Sequence, residues 1–228
     1  MKNGILLGLF FCMLSLHAQR ADFKEIDFAK AENIAIRHQG EELTHLPALA
    51  FDLTSQLHSD VERFRAIYYW VTHNISGNHG LLSQNERYRK KLKNDPEALQ
   101  QWNRKFTKEV FAILLEDKET VCTGYAYLIK VLSNLAGIEC KIIDGYGTPS
   151  GQKSVSKTPN HSWNAVRLNG KWYLCDATWS AGYTDLSSFL FEFEYDNSYF
   201  LQKPSEFVKS HQPLEEKWTL LPAVEEEK

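Results

Sequence analysis

Glycine and proline are scarce, at 12 and 7 among 228 residues. That excludes collagen-like, linker-rich and disordered chains. Charge of one sign is also lacking: 26 basic residues face 29 acidic ones, a net of -3. A nucleic-acid binder working by bulk charge is therefore excluded. A mean hydropathy of -0.41 excludes a polytopic membrane protein. No His-Glu-x-x-His, Cys-x-x-Cys, P-loop or Gly-x-Ser-x-Gly pattern occurs. His38, His45, His73 and His211 have no metal-ligand spacing, so neither metal nor cofactor is expected. What is present is apolar and aromatic: 43% hydrophobic residues and 13% aromatics, 6 of them Trp. That composition predicts a dense core in a chain long enough to bury one.

Cysteines number four, and the first lies in an unusual place. Behind Lys2, residues 5–16 form an uncharged apolar run containing Cys12, followed by Ala18 and the polar pair Gln19-Arg20. The run is too short to span a bilayer comfortably and reads as an export signal over residues 1–18. The expectation is a periplasmic or secreted protein with no stable membrane insertion, in which residues 19–228 form one domain. Cleavage leaves Cys122, Cys140 and Cys175. Exported proteins usually pair their cysteines, and three cannot all pair. At least one is then free, bonded outside the chain, or catalytic.

Along the mature chain, residues 22–58 read as irregular segments or short helices. Ser59-x-x-Glu62 has the form of a capping box. Phe64, Ile67, Tyr68 and Val71 follow at helical spacing, and Gly77 and Gly80 end that element. Residues 86–108 are polar and carry eight Lys or Arg against three acids. The plain reading is a solvated helical insertion; the sharper one is a flap beside an acidic substrate. Asp95-Pro96 is a helix start inside it, and a short helix carrying Phe106, Val110, Phe111, Leu114 and Leu115 follows.

Cys122, Tyr125, Ile129, Leu132 and Ala136 then share one helical face, which Gly137 terminates. Three strands are predicted at residues 138–145, 162–168 and 171–178. Asn169-Gly170 joins the last two as a two-residue hairpin. Helices followed by an antiparallel sheet make an α+β protein, with the cysteine-bearing helix packed on the sheet. A bridge between Cys140 and Cys175 is not expected, because the strand holding His161 lies between theirs.

The hairpin turns this order into chemistry. Leu168 opposes Lys171, so Trp163 opposes Asp176 and His161 opposes Thr178. His161, Trp163, Asp176 and Thr178 then share a face, with His161 and Asp176 diagonal neighbours within hydrogen-bonding reach. Cys122 opens its helix, where unsatisfied N–H groups favour a thiolate. Cys122 as nucleophile, His161 as base and Asp176 as the group orienting it form a thiol acyl-transfer set. Cys175 points to the other face and reads as structural. Gly124 leaves room for a substrate backbone, and Trp163 is a second cleft candidate. The backbone N–H of Cys122 is an oxyanion donor, and the Trp70 indole is a further one.

Val-Cys-Thr-Gly-Tyr-Ala at 121–126, Ala-Gly-Ile at 136–138, Asp-Gly-Tyr at 144–146, His-Ser-Trp-Asn-Ala-Val at 161–166 and Gly-Lys-Trp-Tyr-Leu-Cys-Asp-Ala-Thr-Trp at 170–179 resemble the transglutaminase-like core. Ile67 to Val71 and Asn74-Ile75 also resemble it. Tyr199-Phe200-Leu201, Pro204, Phe207, His211, Pro213 and Trp218 to Leu221 resemble its branch containing kyphoscoliosis peptidase and cytokinesis protein 3. The resemblance runs from about residue 59 to 221. It implies a papain-like cysteine-protease fold, acyl transfer at a peptide or glutamine amide, and no metal. By motif it assigns the nucleophile to Cys122, the base to His161 and the orienting residue to Asp176. Thr123 departs from the Glu often found there, and Gly77-Asn78 from a common aromatic-acidic pair. The leading expectation is a cysteine peptidase ahead of a cross-linking transglutaminase, acting on a protein or peptide. The competing class is an inactive module that holds a peptide in the same cleft.

Overall fold

The computed structural model describes residues 20–148 and 158–222. The proposed export signal, residues 1–18, lies outside them. Its helical half contains α1 (Ala29–Arg37), α2 (Leu46–Thr54) and α3 (Asp60–Asn74). A two-residue strand β1 (Ser76–Gly77) follows, then the helices α4 (His79–Lys91) and α5 (Pro96–Asp117), then β2 (Glu119–Thr120) and α6 (Cys122–Leu135). The main sheet uses β3 (Cys140–Gly147), β4 (His161–Leu168) and β5 (Lys171–Cys175). After it come α7 (Ala177–Ala181), β6 (Gly182–Thr184), β7 (Phe191–Phe193), α8 (Pro204–Phe207) and β8 (His211–Pro213). No helix among the described residues is long and apolar enough to cross a membrane.

Helix α3 starts at the expected box: Ser59 Oγ accepts from Glu62 N at 3.3 Å, and Glu62 Oε2 accepts from Ser59 N at 3.1 Å. Its stripe Phe64, Ile67, Tyr68 and Val71 is wholly buried, but so are Val61, Arg65, Ala66 and Trp70. The helix is thus enclosed on most sides. The buried Arg65 guanidinium is compensated there by Glu32 at 2.6 Å and by donating to Tyr195 Oη and Asn197 Oδ1, each at 2.8 Å. Helix α3 ends at Asn74, not at the glycines: Gly77 pairs with Thr120 in a short parallel ladder and Gly80 is inside α4.

The basic insertion is a helical hairpin. Asn78 caps α4 by accepting from Leu81 N at 2.8 Å, and Asp95 caps α5 by accepting from Ala98 N at 3.0 Å. The two segments expected on either side of residue 105 are one 22-residue helix, because no Gly or Pro interrupts residues 97–117. The hairpin has its own core of Leu81, Trp102, Phe106 and Val110, with Tyr88 stacked on Trp102 at 4.0 Å.

The sheet runs in the order β5-β4-β3-β8 and is antiparallel throughout. Leu168 pairs with Lys171 and the register continues to Asn164 opposite Cys175. Asn169 and Gly170 both have positive φ, 50° and 81°, which the tight hairpin needs. One face, bearing Val166, Leu168, Tyr173 and Cys175, joins the α3 and α6 core. The other, bearing Ile143, Trp163, Ala165 and Leu174, packs on Phe207, Tyr199, Trp218 and Leu220 from the C-terminal segment. Cys140 and Cys175 are free thiols on either side of β4, as the strand order required.

Candidate active site

Cys122 is the first residue of α6, with Val121 as its extended N-cap. The first N–H groups of a helix have no acceptor inside it, so those of Cys122 and Thr123 are open to an anion. The thiol is half-buried beside the His161 side chain and the Ser162 backbone, both of which favour its thiolate. Burial alone would raise the Cys122 pKa; the hydrogen bond and charge of His161 outweigh it, and the thiol is lowered.

His161 opens β4, and its Nε2 lies 2.7 Å from Asp176 Oδ2. Nε2 is thereby committed to the carboxylate. Burial disfavours the imidazolium, but the Asp176 charge and hydrogen bond prevail and lift His161 to about 10. The ring also stacks on Trp179 at 5.0 Å.

Asp176 differs from its expected setting. The third strand stops at Cys175, and Asp176 is the N-cap of α7. Its Oδ1 accepts from Thr178 N at 2.8 Å and Trp179 N at 3.2 Å. Thr178 is therefore helical and does not oppose His161. The predicted parity survives up to the cap, which is why the carboxylate still reaches the imidazole. Tyr68 Oη donates to the Asp176 carbonyl at 2.8 Å, anchoring the turn to α3. Asp176 is wholly buried, yet its carboxyl is held well below the usual carboxylate range. Burial pushes it up; the charge and hydrogen bond of His161, then those of His211, push it down further.

His211 is the residue that sequence reasoning missed. It sits on β8, is fully buried, and its Nε2 donates to the same Asp176 Oδ2 at 3.0 Å. Its Nδ1 lies 2.9 Å from Ser210 Oγ. Burial lowers its pKa, outweighing the attraction of Asp176, so this second imidazole is a neutral donor. A buried carboxylate demands more than one partner, and that demand was the signal available for finding His211. His161, Asp176 and His211 bring three ligand-type atoms within 4.8 Å. Here the Nε2 of each imidazole bonds the one carboxylate oxygen, Asp176 Oδ2.

Three sequence-derived candidates lie elsewhere. Trp70 is buried in the main core and its indole N–H donates to His38 O at 2.7 Å, so it has no donor left for an oxyanion. Its place off the apolar stripe reflects a helix buried on most sides. Trp163 is buried behind the sheet against Phe207 and His211 and lines no part of the cleft. Gly124 faces inward: a Cβ there would stand 1.9 Å from Thr120 Oγ1, so the missing side chain admits Thr120 and not a substrate. Of the two departures from the family pattern, Thr123 lines the cleft beside Cys122, whereas Asn78 caps α4 and donates to Glu119 Oε2 at 2.6 Å.

The cleft has a volume of about 810 Å³. Val121, Cys122 and Thr123 form one wall, and Thr158 to Ser162 with Asp144 and Leu214 form another. The third is one face of α4.

The geometry agrees with the comparisons with known proteins. The family model described as the transglutaminase-like superfamily matches residues 47–177. Kyphoscoliosis peptidase of Mus musculus is 34% identical over 203 residues, 87% of this chain and 27% of that protein. Hillarin of Drosophila melanogaster is 27% identical over 215 residues, 86% of this chain and 23% of that protein. Cytokinesis protein 3 of Saccharomyces cerevisiae is 33% identical over 101 residues, 42% of this chain and 11% of that protein. The chain spans about a quarter of the length of the first two. With a thiol helix packed on an antiparallel sheet and the core motif running through both, the chain belongs to the transglutaminase-like superfamily.

Proposed function

We propose that the protein is a thiol-dependent acyl-transfer enzyme acting on peptide or glutamine amide bonds, with hydrolysis favoured over cross-linking. One observation carries the reading: the buried His161 imidazole binds Asp176 Oδ2 through Nε2 at 2.7 Å, and its hydrogen bonding and charge lower the pKa of the Cys122 thiol beside it. Such a relay can store the thiol proton while Asp176 balances the imidazolium.

In the acylation step the Cys122 thiolate adds to the amide carbon, and the carbonyl oxygen becomes an oxyanion facing the α6 N–H groups. The C–N bond then breaks as His161 gives its proton to the departing nitrogen. Water, or an amine, next attacks the thioester; His161 takes a proton from the attacker and the thiolate leaves. Asp176 stays ionised throughout. The depressed thiol and raised imidazole support an ion pair at neutral pH.

Export belongs to the same proposal and is supported by the uncharged run at residues 5–16. N-terminal sequencing of protein recovered outside the cytoplasm checks it. The activity is tested by mass spectrometry of peptides incubated with wild type and with Cys122→Ala. New peptide termini that need Cys122 identify a peptidase, and isopeptides or amine adducts identify a transferase. A Cys122 that reacts with iodoacetamide no faster than a denatured control would reduce the protein to a peptide-holding module.

A further inference from the structure

The inserted hairpin is amphipathic in an unusual sense. Leu81, Tyr88 and Leu92 of α4 and its C-terminal end face the α5 core, as a helix packed on one neighbour must. The adjoining stripe is not left to bulk solvent. Leu82, Asn85, Glu86, Arg89, Lys90 and Lys93 recur at helical spacing and form one wall of the cleft that holds Cys122 and His161. An ordinary solvated helix face has no reason to be aimed at a nucleophile.

The charges on this wall are uneven. Arg89 donates to Pro159 O at 2.9 Å, which ties α4 to the segment leading into β4 and spends none of its charge on a carboxylate. Lys90 and Lys93 are exposed and enter no ion pair among the described residues. Against these three cations the lining has two carboxylates, Glu86 and Asp144, and Asp144 already accepts from Ser162 Oγ at 2.6 Å. The α6 N-terminus adds partial positive charge on the facing wall. Glu86 lies one turn before Arg89 and Lys90, so the wall from Arg89 to Lys93 is purely cationic over little more than one helical turn.

From this wall we propose that the cleft selects acyl donors carrying Asp or Glu side chains within a few residues of the reacting amide, held by Arg89, Lys90 and Lys93. The inference rests on the acyl-transfer reading of the same site and names its substrate class. Charge set in a cleft with low-dielectric walls raises the local concentration of an oppositely charged ligand and discriminates by sign.

The test needs no knowledge of the natural substrate. Cys122 is alkylated by iodoacetamide, a neutral reagent, in the presence of Gln-centred hexapeptides whose flanking positions are all Glu, all Gln or all Lys. The Glu peptide should protect at roughly tenfold lower concentration than the Gln peptide, and the gap should close in 0.5 M salt. In Lys90→Glu/Lys93→Glu the order should reverse toward the Lys peptide. Arg87→Glu/Lys91→Glu makes the same change of charge on residues outside the cleft lining and should retain the preference for the Glu peptide. Equal protection by the Glu and Gln peptides, or none by either, overturns the inference whether or not a peptide is turned over. Selective protection without any acylated product overturns the acyl-transfer reading alone.

Discussion

Each reactive side chain has a state that can be measured separately. Cys122 should be alkylated at a pH below the ordinary thiol value of about 8.5, because the thiolate is present above its lowered pKa. The ion pair should then persist until His161 loses its proton near 10, so reactivity that depends on the imidazolium falls away above that pH. Cys140, pushed up by burial to about 12, and Cys175, raised well above the thiol range, should stay unlabelled in the native protein. Peptide mapping after iodoacetamide treatment reads all three at once. Asp176→Asn should leave the fold intact and lower turnover by roughly 10⁴-fold, as loss of an orienting carboxylate does in a serine-protease triad. A fall of only a few-fold would remove Asp176 from the relay. His211 acts one step further away, as a positioning residue. His211→Ala should raise the Asp176 pKa and move the acid limb of the pH–rate profile upward, because one of two donors to Oδ2 is lost. His211→Gln, which can still donate, should restore part of the shift; an unmoved limb in both variants would leave His211 with packing alone.

Individual elements explain how much could be read from sequence. The Asn169-Gly170 hairpin and the Ser59–Glu62 box are local devices whose residues carry their own geometry, and both form as expected. The pairing of β4 with β5 followed from that one turn, and it brought His161 and Asp176 together. Where β5 ends was not legible, since a strand-ending Asp and a helix-capping Asp look alike until the following backbone is known. β8 is only three residues long and pairs with β3 across more than sixty residues of sequence, so no periodicity announces it. Trp70 was misread because one apolar stripe does not reveal a helix enclosed on several sides. Gly124 was misread because absence of a side chain does not say which neighbour fills the space. Gly124→Ala should therefore cost about 1–3 kcal/mol as overpacking against Thr120, and Gly124→Ala/Thr120→Ala should recover part of it. Urea titrations of the two variants settle this; equal loss in both would mean that the backbone of α6 cannot shift for another reason.

On the scale of the molecule, the far side of the sheet is closed by residues 199–220, which lie beyond the segment matched by the family model. Phe207 stacks on His211 at 3.9 Å and packs on Trp163, so the cover and the Asp176 partners are one body. Removing the chain from residue 203 onward should cost both cooperative unfolding and Cys122 reactivity. Thermal melts and alkylation rates of that truncation test this; an unchanged melt and rate would mean that the cover is dispensable. The chain is also made in an order that matters. The cysteine emerges first, its imidazole next, the carboxylate after that, and His211 last. At roughly 5–20 residues per second, the ribosome needs on the order of ten seconds to travel from the thiol to the final histidine. Throughout that interval Cys122 is an ordinary cysteine on an unfinished chain, unable to attack the nascent polypeptide around it. On the proposed mechanism, strand β8 thus serves as a built-in delay: the thiol's relay is complete only after that strand has been made and paired with β3.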